Sequence, residues 1–138
     1  MTTTADVDMI RASASQLLTR NCDALAGAVT AALYAASPAL LERHGERGRE
    51  KCLQDMRHNI EYVVAALDLG DGAVFSRYVE WLETLLRVRH VDTRDMARSL
   101  TLLQEECAGR FARPEADAIG AMLQAGLHVL TTRTPPLT

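Results

Sequence analysis

Five residues spaced for a single helix hold most of the chain's chemical potential: Cys52, Asp55, His58, Asn59 and Tyr62. At about 100° per residue, Cys52, Asp55, Asn59 and Tyr62 fall on one line with Ala66, and His58 lies just beyond it. A thiol, a carboxylate, an amide and a phenol thus share a shoulder at the margin of burial. Further on, Phe75, Tyr78 and Trp81 follow at three-residue intervals, half of a complement of one Trp, three Tyr and two Phe. Large rings beside small polar groups suit two arrangements. One is a core whose polar groups are satisfied internally: Asp55 pairs with an arginine or caps a helix, Tyr62 and Tyr78 keep their hydroxyls near water, and Trp81 fills the interior. The other is a pocket in which the rings grip a flat hydrophobic ligand while Asp55, His58, Asn59 and Tyr62 fix its polar groups.

Catalysis has less support. Cys52 and His58 lie six residues apart, hence about 120° around the helix axis, too divergent for a thiolate–imidazolium pair. The chain has no CxxC, no HExxH and no other paired His/Cys ligand spacing, so neither a metal site nor an enzyme is expected. Glycine-rich phosphate loops and a serine nucleophile elbow are also missing. His44 and His90 each sit where a helix should end, beside its negative dipole end. His128 is a lone histidine among apolar neighbours, a weak signal for a haem ligand.

These side chains must be positioned by helices. Apolar residues recur at helical spacing from about Asp6 to Ala36, either unbroken or with a break near Asn21 or Gly27. Ser37 and Pro38 open a short helix closed by Gly45. A third helix runs from about Arg47 to Leu69, with Gly70 as its stop, and Leu53, Met56, Ile60, Val64 and Leu67 as its apolar stripe. Asp71 caps a fourth that reaches about Arg89. Its apolar arc is wide, leaving Arg77, Glu80, Glu83, Thr84 and Arg87 as a polar strip. Asp92 or Thr93 caps a fifth helix, and Pro114 starts a sixth that fades by about Leu130. No strand pattern competes, so the expected fold is all-α, with about six helices in a globin-like or orthogonal bundle. Residues 1–132 form one domain, and 133–138 a disordered tail.

Composition narrows the function classes. A net charge of -3 argues against a nucleic-acid partner. No uninterrupted run of about eighteen apolar residues appears, so no membrane span is expected, and no secretory signal precedes the first helix. Cys22, Cys52 and Cys107 are odd in number and lie within apolar helical patterns, as reduced thiols in a cytoplasmic protein would. Lys51 is the single lysine among many arginines.

The run from Lys51 to Met96 resembles a helical module of bacterial regulatory proteins: a Cys-x-x-Asp opening, a Gly-Asp turn, then a Phe-x-x-Tyr-Val-x-Trp helix. The chain is also similar in size and helical make-up to two groups. These are the globin-like, non-haem sensor domains of stressosome-type regulators and the tetrapyrrole-binding globin and phycobiliprotein group. The resemblance carries over Cys52, Asp55, Tyr62, Phe75, Tyr78 and Trp81; His58 stands one step before the position where the module has an aromatic or His. It implies first a non-catalytic cytoplasmic sensor without cofactor, acting by association with itself as a homodimer and with a partner signalling protein. The alternative is a small-molecule binder with a tetrapyrrole (bilin, haem or cobalamin) held between the third and fourth helices.

Overall fold

The computed structural model describes residues 3–133. Five helices account for nearly all of it: α1 (Thr4–Ala36), α2 (Ala39–Leu69), α3 (Gly72–Val88), α4 (Thr93–Arg110) and α5 (Arg113–Arg133). No strand occurs among the described residues. None of these helices is long and apolar enough to cross a membrane.

Local chemistry explains the boundaries. Thr3 opens α1 with a capping box, its hydroxyl accepting from the Asp6 N–H while the Asp6 carboxylate accepts from the Thr3 N–H. Asp71 and Asp92 cap α3 and α4 by accepting from the N–H two residues on. Gly70 ends α2 in the left-handed conformation that glycine adopts without a Cβ penalty.

Gly45 redirects the chain. Its φ of 65° and ψ of -168° break α2 into a short leading segment, 39–44, and a long one, 46–69. That backbone region is open essentially to glycine alone. Counted across this kink, the six expected helical segments are all present. Two boundaries differ. Ser37 finishes α1 rather than starting the next helix, with Pro38 taking the N-cap place. Of the two forms open for the first helix, the unbroken one occurs, with no break at Asn21 or Gly27. The Asn21 amide turns back on its own helix, donating to the Leu17 carbonyl at 2.8 Å, and α1 is sustained by its long packing against α2. Residues 134–138, most of the expected tail, lie outside the described part.

The most extensive pairings are α1 with α2 and α3 with α5, and α4 lies against α1 and α5. Leu18, Leu25 and Val29 of α1, Met56, Ile60, Val63 and Leu67 of α2, Phe75 and Val79 of α3, and Ile119 and Leu123 of α5 belong to one continuous core. The buried stripe of α2 is rotated slightly from the expected one, with Val63 inside and Leu53 and Val64 only half-buried. In α3, Glu83 leaves the expected polar strip. It is buried and ion-paired with the half-exposed Arg87 one turn on.

Candidate functional site

Where the C-terminal half of α3 leaves α5 behind, the helices do not close completely. A cavity of about 270 Å³ opens there. Its walls are the end of α1 (Leu33, Tyr34), the short segment of α2 (Leu40, His44) and the long segment (Lys51, Cys52, Asp55, Met56, Asn59). The end of α3 (Leu82, Leu86, Arg89), Val91 and the first turns of α4 (Asp95, Met96, Ser99) complete it. The Gly45 kink is what brings Leu40 and His44 over this space instead of carrying the chain straight past it.

Cys52, Asp55 and Asn59 sit on the wall as the helical spacing predicts, at successive turns of α2. The Thr30 hydroxyl lies 3.9 Å from Cys52 Sγ as a donor. Burial pushes the Cys52 thiol above its ordinary value. The Thr30 contact opposes this, and the carboxylates of Asp55 and Asp95 add to it. Asp55 pairs not with an arginine, as the core arrangement requires, but with Lys51, Nζ to Oδ1 at 3.0 Å. The single lysine of the chain stands four residues before Asp55 on the same helix, and no arginine in α3 reaches it.

Asn59 is buried and serves as a clasp. Its amide donates to Met56 Sδ at 3.4 Å, and its Oδ1 accepts from the Tyr78 hydroxyl at 2.6 Å. Burial raises the Tyr78 phenol well above its usual range, so it stays a donor. Outside it, Tyr62 stacks on Tyr78 at 4.0 Å between ring centroids and 10° between planes. Trp81 tilts against Tyr78 at 6.3 Å. Asn59 thus holds the middle ring of the ladder Tyr62–Tyr78–Trp81, whose two outer rings are exposed.

Five of the eight singled-out residues, His58, Tyr62, Phe75, Tyr78 and Trp81, do not line the cavity. The sequence expectation puts the Tyr78 hydroxyl near water, but it is turned inward to Asn59. Trp81 does not fill the core; it is 61% exposed, because α5 covers the Phe75 side of α3 and no described helix covers the Trp81 side. Phe75 is fully buried against α5 and does not line the cavity. His58 points into solvent, 3.5 Å from Glu61, on the far flank of α2. Among the described residues no cluster of His, Cys, Asp and Glu could hold a metal ion.

Spacing along the chain gives no hint of Tyr34, His44, Arg89, Asp95, Met96 or Ser99 at this site. They come from α1, the short leading segment of α2, the end of α3 and the start of α4, and only the packing brings them together. Lys51 alone leaves a signal, its i,i+4 spacing to Asp55. The wall is therefore a mainly apolar surface holding a single thiol, two carboxylates and the cations of Lys51 and Arg89.

A search of curated proteins finds no match to this chain. A family model described as phycobilisome protein matches residues 2–128, from the first residues of the chain to the last turns of α5. The all-helical, globin-like architecture is the one that family shares, and the matched stretch contains the entire cavity wall. The chain belongs to the family of phycobilisome proteins.

Proposed function

We propose that the chain is a non-catalytic pigment-binding protein that holds an open-chain tetrapyrrole, a bilin, in this cavity, covalently attached through Cys52. Members of the phycobilisome family are bilin-carrying light-harvesting proteins, so the match favours the second of the two sequence expectations. Nothing in it speaks for a signalling partner or for a stressosome-type sensor. The observation that carries the reading is the placement of Cys52. Of three cysteines, it alone lines the cavity, one turn from Asp55; Cys107 is buried in the core and Cys22 lies elsewhere on α1.

The residues present fit such a group. Leu33, Leu40, Met56, Leu82, Leu86 and Met96 offer apolar contact to flat rings. Asp55 supplies a carboxylate acceptor for pyrrole N–H groups, held in place by Lys51. At about 270 Å³ the space sits near the lower end of ligand clefts, which run from roughly 300 Å³ upward, so part of a bilin would extend beyond it. The Tyr62–Tyr78–Trp81 ladder provides a shelf for that part. A bound bilin supplies absorption of visible light and transfer of the excitation. The chain's own part is to grip, orient and shield. Cys52 would hold the pigment as a thioether, its Sγ–H adding across an exocyclic carbon–carbon double bond with the proton going to the neighbouring carbon, so that nothing would be oxidised or released.

Incubation of the purified chain with phycocyanobilin, followed by absorbance from 350 to 700 nm, tests this. A visible band that survives denaturation, with the pigment mass on the peptide holding Cys52, is the expected result. Cys52→Ala should abolish the covalent mass. Pigment left wholly free, or attached to Cys22 instead, would refute the assignment.

Proteins of this family assemble into oligomers, and the exposed Trp81 and Val88 on one side of α3 support association here too. Self-association as a homodimer is the form expected. Light scattering should return about twice 15.1 kDa at micromolar concentration, and a mass fixed at 15.1 kDa would exclude it.

A further inference from the structure

We propose that Thr30 is the positioning residue for the Cys52 sulfur: its hydroxyl holds Sγ from behind the cavity wall and favours the thiolate, the form in which a cysteine attacks. The electrophile is that of the pigment reading, on which this rests, while the contact itself is testable without pigment.

The other threonines inside the helices show what a hydroxyl there ordinarily does. It turns back to the carbonyl four residues before it. Thr19, Thr84, Thr101, Thr131 and Thr132 all do so, at 2.9 to 3.0 Å. Thr30 does not. Only 3% exposed in α1, it turns from the Ala26 carbonyl of its own helix and donates across to Cys52 Sγ of α2, 3.9 Å away. A buried hydroxyl needs a partner, and this one takes a thiol sulfur although a backbone carbonyl is the stronger acceptor. Thr30 is not itself on the cavity wall, whereas Cys52 is. The donor therefore sits behind the sulfur and leaves its cavity face open.

Thiol and thiolate are unequal acceptors. Neutral sulfur accepts weakly, while an ionised acceptor forms a charge-assisted hydrogen bond roughly twice as strong. The Thr30 hydroxyl thus stabilises the ionised form more than the neutral one. It has no help. Burial and the carboxylates of Asp55 and Asp95 all oppose ionisation, and Thr30 is the one group that acts against them. The long segment of α2 starts at residue 46, so Cys52 lies beyond the first turn, where a helix N-terminus would favour an anion. Neither Cys22 nor Cys107 has a hydroxyl on its sulfur. The contact is particular to the one thiol that faces the cavity.

On attachment, Cys52 would give its proton to water in the open cavity and form the Sγ–C bond. The electron pair of the double bond would pass to the neighbouring carbon, which takes a proton from water. Thr30 keeps its own proton throughout and touches only the sulfur. The titratable groups on this wall are Tyr34, His44, Lys51, Asp55, Arg89 and Asp95. Parent and Thr30 variants share all six, so a difference between their pH profiles belongs to the hydroxyl.

The test follows alkylation of Cys52 by iodoacetamide in the full chain, from neutral to strongly alkaline pH. Mass on the Cys52 peptide is read, which keeps Cys22 and Cys107 out of the signal. Thr30→Val keeps the shape of the side chain and deletes the donor, so the midpoint of its profile should move up in pH. Below the midpoint Cys52 should react on the order of 2- to 3-fold more slowly than in the parent. Above it the two rates should meet or cross, because a thiolate of higher pKa is the better nucleophile. Thr30→Ser, which keeps the hydroxyl, should follow the parent. The initial rate of phycocyanobilin attachment at neutral pH should fall in step in Thr30→Val, with the final pigment per chain unchanged. An unmoved midpoint in Thr30→Val would overturn the proposal, as would an equal shift in Thr30→Ser. Slowing by one factor at every pH would also overturn it, since a displaced or shielded sulfur behaves that way. If the alkylation profiles come out as expected while the parent chain attaches no pigment, the pigment reading falls and the hold of Thr30 on the thiol stands.

Discussion

The two halves of α3 solve opposite packing problems. Near its start, Phe75 and Val79 press against Gly126 of α5 so closely that a Cβ added there would stand 2.5 Å from Phe75 Cε2 and 2.8 Å from Val79 Cγ2. Near its end, Leu82 and Leu86 face a gap bordered by α1, α2 and α4. Both halves of the helix turn large apolar side chains inward, so the presence of such residues does not make the difference. It lies in the neighbours. At the tight end one helix gives up a side chain so that an aromatic ring can fill its place. At the open end the Gly45 kink and the left-handed His90 (φ of 59°) hold the surrounding segments apart. A sealed core and a receptive hollow are thus built on one helix, two turns apart.

If the tight half is a sealed core, its variants should cost most. Phe75→Ala should destabilise the chain by about 3–5 kcal/mol in denaturant unfolding, the range for emptying a fully enclosed aromatic site. Gly126→Ala should cost about 1–3 kcal/mol through overpacking, and a neutral result would mean that the ring moves aside freely. At the open end, Leu86→Ala enlarges a space that already exists and touches a half-buried side chain, so about 1 kcal/mol is expected. A loss as large as that of Phe75→Ala would erase the contrast. Smallest of all should be Trp81→Ala. With the indole largely in solvent, unfolding free energy should change by no more than about 0.5 kcal/mol, although pigment held on the aromatic shelf should be lost more readily.

Much of this contrast can be anticipated from the chain, and the part that cannot has a physical cause. Helix ends are legible at Asp71, Asp92, Gly70 and Gly45 because capping depends on one or two local side chains. The row Cys52, Asp55, Asn59 is legible because three- and four-residue spacing fixes a shared face. Periodicity cannot tell how much of an apolar arc the neighbours will cover. Trp81 and Phe75 therefore look alike in sequence, and only the docking of α5 on one side of α3 separates them. Glu83 misleads for the same reason, since its burial depends on where α3 is covered and on Arg87 one turn away. The opposite wall of the cavity, from Tyr34 across to Asp95, is assembled by contacts between distant segments that no local pattern records.

An indole left in the open also lets the chain report on its own state. Trp81 is the single tryptophan, so ultraviolet emission excited at the red edge of protein absorption comes from one known point. Its surroundings are mostly water, which places that emission at long wavelength, and its nearest ring is Tyr78, 6.3 Å away and fastened to the cavity through Asn59. A visible chromophore lodged beside that ladder would drain the excitation by resonance transfer, dimming the tryptophan as each molecule is captured. Under the pigment reading the tryptophan would serve as an optical meter for loading, readable without label or mutation, and its dimming would time the arrival of the pigment separately from attachment at Cys52.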